Sequence, residues 1–153
     1  MIRNPHKRRP YRYRVRSLIA TRRIKPEILY ITEFEAKTAL KAKGYKVRQI
    51  KKIRLLRHQV CISYWNEQGG VCSGFFSYRI FNCWHRAIEE LICGCLTLRT
   101  WQTFNWIMQS EFNYYPYPGE ISISLNHQLQ RRLSELQTNI IQSEISHPEV
   151  IKI

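Results

Sequence analysis

Two runs of β-branched and aromatic residues, Gln59–Trp65 and Val71–Phe81, flank the five residues Asn66-Glu67-Gln68-Gly69-Gly70. A connection this short with two glycines supplies the backbone freedom a tight reversal needs, and the stretch predicts a β-hairpin. A sheet of this kind needs helices against one face, and the flanking sequence supplies them. Thr32 with Glu35 three positions later is a capping-box pattern. Ala36, Ala39, Leu40 and Ala42 favour a helix, and Gly44 can end it, so a helix is expected over 32–43. After the hairpin, Trp84, Ala87, Ile88, Leu91, Ile92 and Cys95 recur at helical spacing, which predicts a helix from 82 to 97 with one face in the core.

Residues 45–57 admit two readings. Tyr45-Lys46-Val47-Arg48 alternates as a strand does, whereas Ile50, Ile53 and Leu56 among Lys51, Lys52, Arg54 and Arg57 also fit a basic helix. A strand from 45 to about 53 is the reading adopted. Residues 98–113 place Trp101, Phe104, Asn105, Met108 and Phe112 on one side of a further helix. Tyr114-Tyr115-Pro116-Tyr117-Pro118-Gly119 is a turn-rich break. The alternation of Ile121, Ile123 and Leu125 predicts a short strand, and Leu129, Leu133, Leu136 and Ile140 predict a helix over 126–145.

The expected fold is α+β: a small three-stranded antiparallel sheet with packed helices in the order α-β-β-β-α, preceded by a basic arm and followed by C-terminal helices. The division expected is an extended or disordered arm over 1–25, an α+β domain over 26–113, and a linker with an amphipathic helix over 114–153. This element order is similar to that of double-stranded-RNA-binding domains, and a three-stranded sheet with a helix recurs in some DNA-binding modules; the likeness is one of topology and does not establish function. The start of the second helix departs from the RNA-binding pattern. It reads Asn82-Cys83-Trp84-His85-Arg86 where a basic cluster would be needed.

Charge carries the functional argument. The net charge is +14, and it is segregated. Residues 1–60 hold 19 of the 25 Lys and Arg against Glu27, Glu33 and Glu35, a net +16, and the remainder of the chain is net −2. Segregation of this kind is an electrostatic footprint for a polyanion. Phosphate binding needs several cations at backbone spacing, and Arg offers a planar fork to two phosphate oxygens. The residues expected to bind nucleic acid are Arg8, Arg9, Arg12, Arg14, Arg16, Arg22, Arg23, Lys46, Arg48, Lys51, Lys52, Arg54 and Arg57. Strand parity adds Phe75 and Arg79 on an open face beside Ser73 and Ser77, where an unpaired base can stack, with Phe76, Tyr78 and Ile80 on the apolar face.

Other chemistries find less support. All eleven acids are Glu, so mechanisms built on paired Asp or a Ser-His-Asp triad lack a part. His85, Arg86, Glu89 and Glu90 could serve a small RNA-cleaving enzyme, yet they also read as i,i+4 pairs on a solvated face. Cys83, His85, Cys93 and Cys95 lack the usual two-residue spacer of a zinc site, and on a helix continuous to 97 the last two thiols would point apart. No cofactor or metal is expected. With five cysteines, no apolar leader and no run of eighteen apolar residues, the chain is expected to be a reduced cytoplasmic protein with no membrane partner. The alternative to nucleic acid is a regulator or inhibitor docking on an acidic protein surface. The spacing of Leu129, Leu133, Leu136 and Ile140 fits equally a homodimer seam and a helix folded back onto the same domain.

Overall fold

A computed structural model describes residues 16–146. The elements in chain order are α1 (Glu33–Ala42), β1 (Val47–Leu55), β2 (Gln59–Asn66), β3 (Val71–Ser77), α2 (Asn82–Cys93), α3 (Leu98–Tyr114) and α4 (Gly119–Ser146), with 3-10 turns at Pro26–Ile28 and Tyr78–Ile80. The fold is α+β. Its antiparallel sheet has the order β1-β2-β3.

The Thr32 hydroxyl accepts the Glu35 N–H and starts α1, and Gly44, at φ +93°, closes it. The ambiguous basic segment is strand β1. Its apolar residues Val47, Ile50, Ile53 and Leu55 face the core, and two register shifts against β2 keep them there. In the hairpin, Asn66 Oδ1 accepts the N–H groups of Gln68 and Gly70, and Gly69 takes φ +81°. The inner face of β2 and β3 carries Val60, Ile62, Tyr64 and Phe76, all buried in one core with Ala36, Leu40, Trp84, Ile88, Phe104 and Met108.

Four sequence-based boundaries are corrected. Residues 17–24 do not belong to an arm: Leu18, Ile19 and Ile24 are core residues, with Ile24 N–H bonded to Leu18 O. The helix expected over 82–97 is two helices. Gly94 caps α2, and Thr97 starts α3 through a reciprocal capping box with Thr100. Strand β3 stops at Ser77, because the Ser77 side chain accepts the Arg79 N–H and turns 78–80 into a 3-10 bend. Finally, Ile121–Leu125 is helical. The four-residue step from Ile121 to Leu125 continues to Leu129, so the alternation was part of a helical period.

Helix α4 packs across α2 and α3. Leu125, Leu129 and Leu136 are buried in the common core and Leu133 packs against it. The leucine stripe is therefore consumed within the chain and is not a free dimer seam; of the residues assigned to one, Ile140 alone is exposed.

Candidate nucleic-acid interface

Because side chains alternate across a strand, burying Val60, Ile62, Tyr64 and Phe76 turns their neighbours outward. The register aligns these neighbours in three rows: Arg54–Cys61–Phe75, Lys52–Ser63–Ser73 and Gln49–Trp65–Val71. Phe75 is 64% exposed and Val71 55% exposed, and the Ser63 and Ser73 hydroxyls lie 3.0 Å apart. The register shift between Ile50 and Lys52 brings Lys51 to the same side, with its Nζ 5.6 Å from the centre of the Trp65 ring. The three strands contain no acid, and all four of their cations, Arg48, Lys51, Lys52 and Arg54, are in β1. The result is a sheet face with a cationic edge, a hydroxyl centre and an exposed ring on the opposite strand.

The basic edge continues past the end of β1. Arg57 lines a cleft with Ile19, Arg22, Lys25 and Glu27. Arg22 holds φ +55°, a conformation that costs a branched or long side chain about 1 kcal/mol and that glycine would take freely. Arg22 and Arg23 also border a groove against α2 with Tyr30 and Arg86. Lys46 is exposed just ahead of β1. Arg16 lies elsewhere, its guanidinium stacked 3.9 Å from the centre of the Trp106 ring on α3. Arg8, Arg9, Arg12 and Arg14 lie outside the described residues.

Arg79 is a correction. It is only 2% exposed and takes no part in the open face. The 3-10 bend carries it inward, where its guanidinium lies between the Tyr115 and Trp84 rings at 3.6 and 4.7 Å. Its Nε donates to Glu111 Oε1 at 2.5 Å. The buried Glu111 carboxylate also accepts the Tyr117 hydroxyl at 3.0 Å and, through Oε2, the Leu18 N–H at 3.1 Å. Trp84 Nε1 donates to the Tyr117 oxygen at 2.9 Å. Burial and the adjacent Glu111 push the Tyr117 phenol strongly up, so it remains a donor. This cluster joins four separate stretches of chain and is structural.

The groups considered for acid–base chemistry are separated. His85 is not on a solvated face: it is buried, with Nε2 2.8 Å from Arg79 O, and burial lowers its pKa. Arg86 pairs with Glu35 of α1 at 2.6 Å rather than with Glu90. Among the described residues no three metal-ligating side chains are grouped. Cys93 is exposed at the end of α2 while Cys83 and Cys95 are buried, and burial pushes the Cys83 thiol up to about 11. Because α2 ends at Cys93, the continuous helix on which the two thiols were expected to point apart is not present; they differ instead in burial.

No family model, curated protein or solved structure matches this chain. The site therefore has to be read from its own chemistry. Trp65, with Lys51 over its ring, is the member of the face that sequence reasoning left unassigned. Its parity with Ser63 and Cys61 was the available signal, but parity gives a direction only once the inward residues of β2 are known.

Proposed function

We propose that this protein binds nucleic acid without catalysis, through the outer face of its sheet and the basic edge that extends from β1. The observation that carries the reading is the register: it sets Lys52 and Arg54 of β1 in line with Ser63, Ser73 and the exposed Phe75, with Lys51 over Trp65 beside them, on strands free of acid. A solvated sheet face ordinarily mixes both signs of charge. One that combines cations with an exposed aromatic ring offers phosphate contacts and a stacking surface together.

Each neutralised phosphate releases condensed counterions, so the number of contacts sets the salt dependence. Four contacts from β1 give a loss of about 50- to 150-fold between about 50 and 200 mM salt. Adding Arg22, Lys25 and Arg57 raises this to about a thousandfold or more. Anisotropy titrations of a labelled oligonucleotide should show a dependence in this range. Reversing Lys52 and Arg54 together to Glu should weaken binding and flatten the slope. Unchanged affinity in that double variant would remove the face from the binding surface. Polyglutamate that competes as well as the oligonucleotide would show a general acidic-surface binder instead, the behaviour expected of a regulator docking on an acidic protein.

A further inference from the structure

We infer that the ligand of this face is a single strand, its sugar-phosphate backbone running along β1 and its bases lying across β2 towards Phe75. The inference rests on the nucleic-acid reading of the face and concerns which nucleic acid fits it. The deciding feature is the asymmetry of charge. All four sheet cations are on one edge strand, and the opposite strand presents Val71, Ser73, Phe75 and Ser77, with no charge. The acid nearest to these strands in sequence, Glu67, lies in the turn that joins β2 to β3.

A duplex meets a sheet differently. Its major groove is about 12 Å wide and is bounded by phosphates on both sides. Two steps of strand spacing make this sheet about 10 Å across. Seated in the groove, it would bring phosphate against both edges, and β3 has no cation to receive it. A single strand has one line of phosphates. With that line on β1, its bases cover the distance to β3 and pass the Ser63–Ser73 hydroxyl pair, which can donate to and accept from base edges. Phe75 then offers its ring to an unpaired base, a surface that a duplex keeps closed within its own stack. Trp65 is less available, because Lys51 already lies over it. The shared chemistry is that of an unpaired oligonucleotide, and DNA differs from RNA here by the 2′-hydroxyl alone.

The test compares three labelled probes on the full chain: a twelve-nucleotide oligothymidylate, the matching oligouridylate, and the twelve-base-pair dA·dT duplex. The expected result is binding of one or both single strands at least tenfold tighter than of the duplex. A preference between the two single strands identifies DNA or RNA as the natural source. Phe75→Ala should weaken single-strand binding about tenfold and change duplex binding less than twofold. Phe75→Tyr, which keeps the ring, should restore most of the loss. Because Phe75 is exposed, Phe75→Ala should melt like the parent, so a binding loss reports the contact. Duplex binding equal to or tighter than single-strand binding, or an equal loss on both probes in Phe75→Ala, overturns the inference while leaving the nucleic-acid reading in place. Failure of the parent protein to bind any of the three overturns both.

Discussion

Glu111 is the residue whose loss should cost the chain most per atom changed. Its carboxylate is fully buried and accepts from the Leu18 backbone, Arg79 Nε and the Tyr117 hydroxyl. Glu111→Gln keeps the shape and removes the charge. One of the two carboxylate oxygens then becomes an NH2 group that faces a donor, either the Leu18 N–H or the Arg79–Tyr117 pair. The Arg79 guanidinium, 3% exposed, is left without its counter-charge. Removing one partner of a buried ion pair costs about 3–5 kcal/mol. For a chain of this size that corresponds to a fall of about 6–20 °C in melting temperature. The stacking of Arg79 between Tyr115 and Trp84 tempers the loss, since those rings still hold the cation. Thermal unfolding followed by tryptophan fluorescence is a suitable assay, because Trp84 is part of the network. A Glu111→Gln protein melting within about 2 °C of the parent, or about 1 kcal/mol at this size, would refute the view that this carboxylate ties the N-terminal segment to the helices.

Three further outcomes are expected from the same region. Leu18 is completely buried, so Leu18→Ala should cost about 2–5 kcal/mol in denaturant unfolding. Deleting residues 1–24, which would remove Leu18, Ile19 and Ile24, should abolish cooperative unfolding; a truncated chain that melts like the parent would show that these side chains are dispensable. Burial lowers the His85 pKa from its ordinary 6.5, so the folded ring resists a proton that the unfolded chain accepts. The stabilisation is complete above pH 6.5 and is lost as pH falls towards the folded pKa, by at most about 1.4 kcal/mol per unit. Melting temperatures measured from pH 7.5 to 5.5 should decline, and His85→Gln, which can still donate to Arg79 O, should flatten the decline.

The hairpin and α1 were legible because each rests on a local device: two glycines after Asn66, and a threonine hydroxyl three residues before Glu35. Such devices act within a few residues and need no knowledge of the rest of the chain. In β1 two register shifts space the inward residues Val47, Ile50 and Ile53 three apart, which is why the segment also fitted a helix, and its strand identity was legible only in the alternation of Tyr45-Lys46-Val47-Arg48. The open face was legible at Phe75 for the same reason, since its neighbours on that parity, Ser73 and Ser77, are polar.

What local patterns could not give was the fate of a residue just past the end of an element. Parity assigned Arg79 to the face of Phe75 on the assumption that the strand continues for four residues, and a single hydrogen bond from its own N–H to Ser77 breaks that continuity. Once the chain bends, Arg79 can reach inward, and a buried cation is tolerable only where an acid waits for it. That acid is Glu111, 32 residues away on α3, and it was the one acid on a helix otherwise lacking negative charge. The same logic applies to residues 17–24. Flanked by arginines, they read as part of a basic arm, yet Leu18, Ile19 and Ile24 are apolar, and the Leu18 N–H completes the coordination of that carboxylate. Among the described residues, the basic N-terminal part of the chain thus does two things. Strand β1 and the Arg22–Arg57 cleft present cations, and the apolar residues Leu18, Ile19 and Ile24 anchor the segment that carries Arg22 and Lys25 to the core.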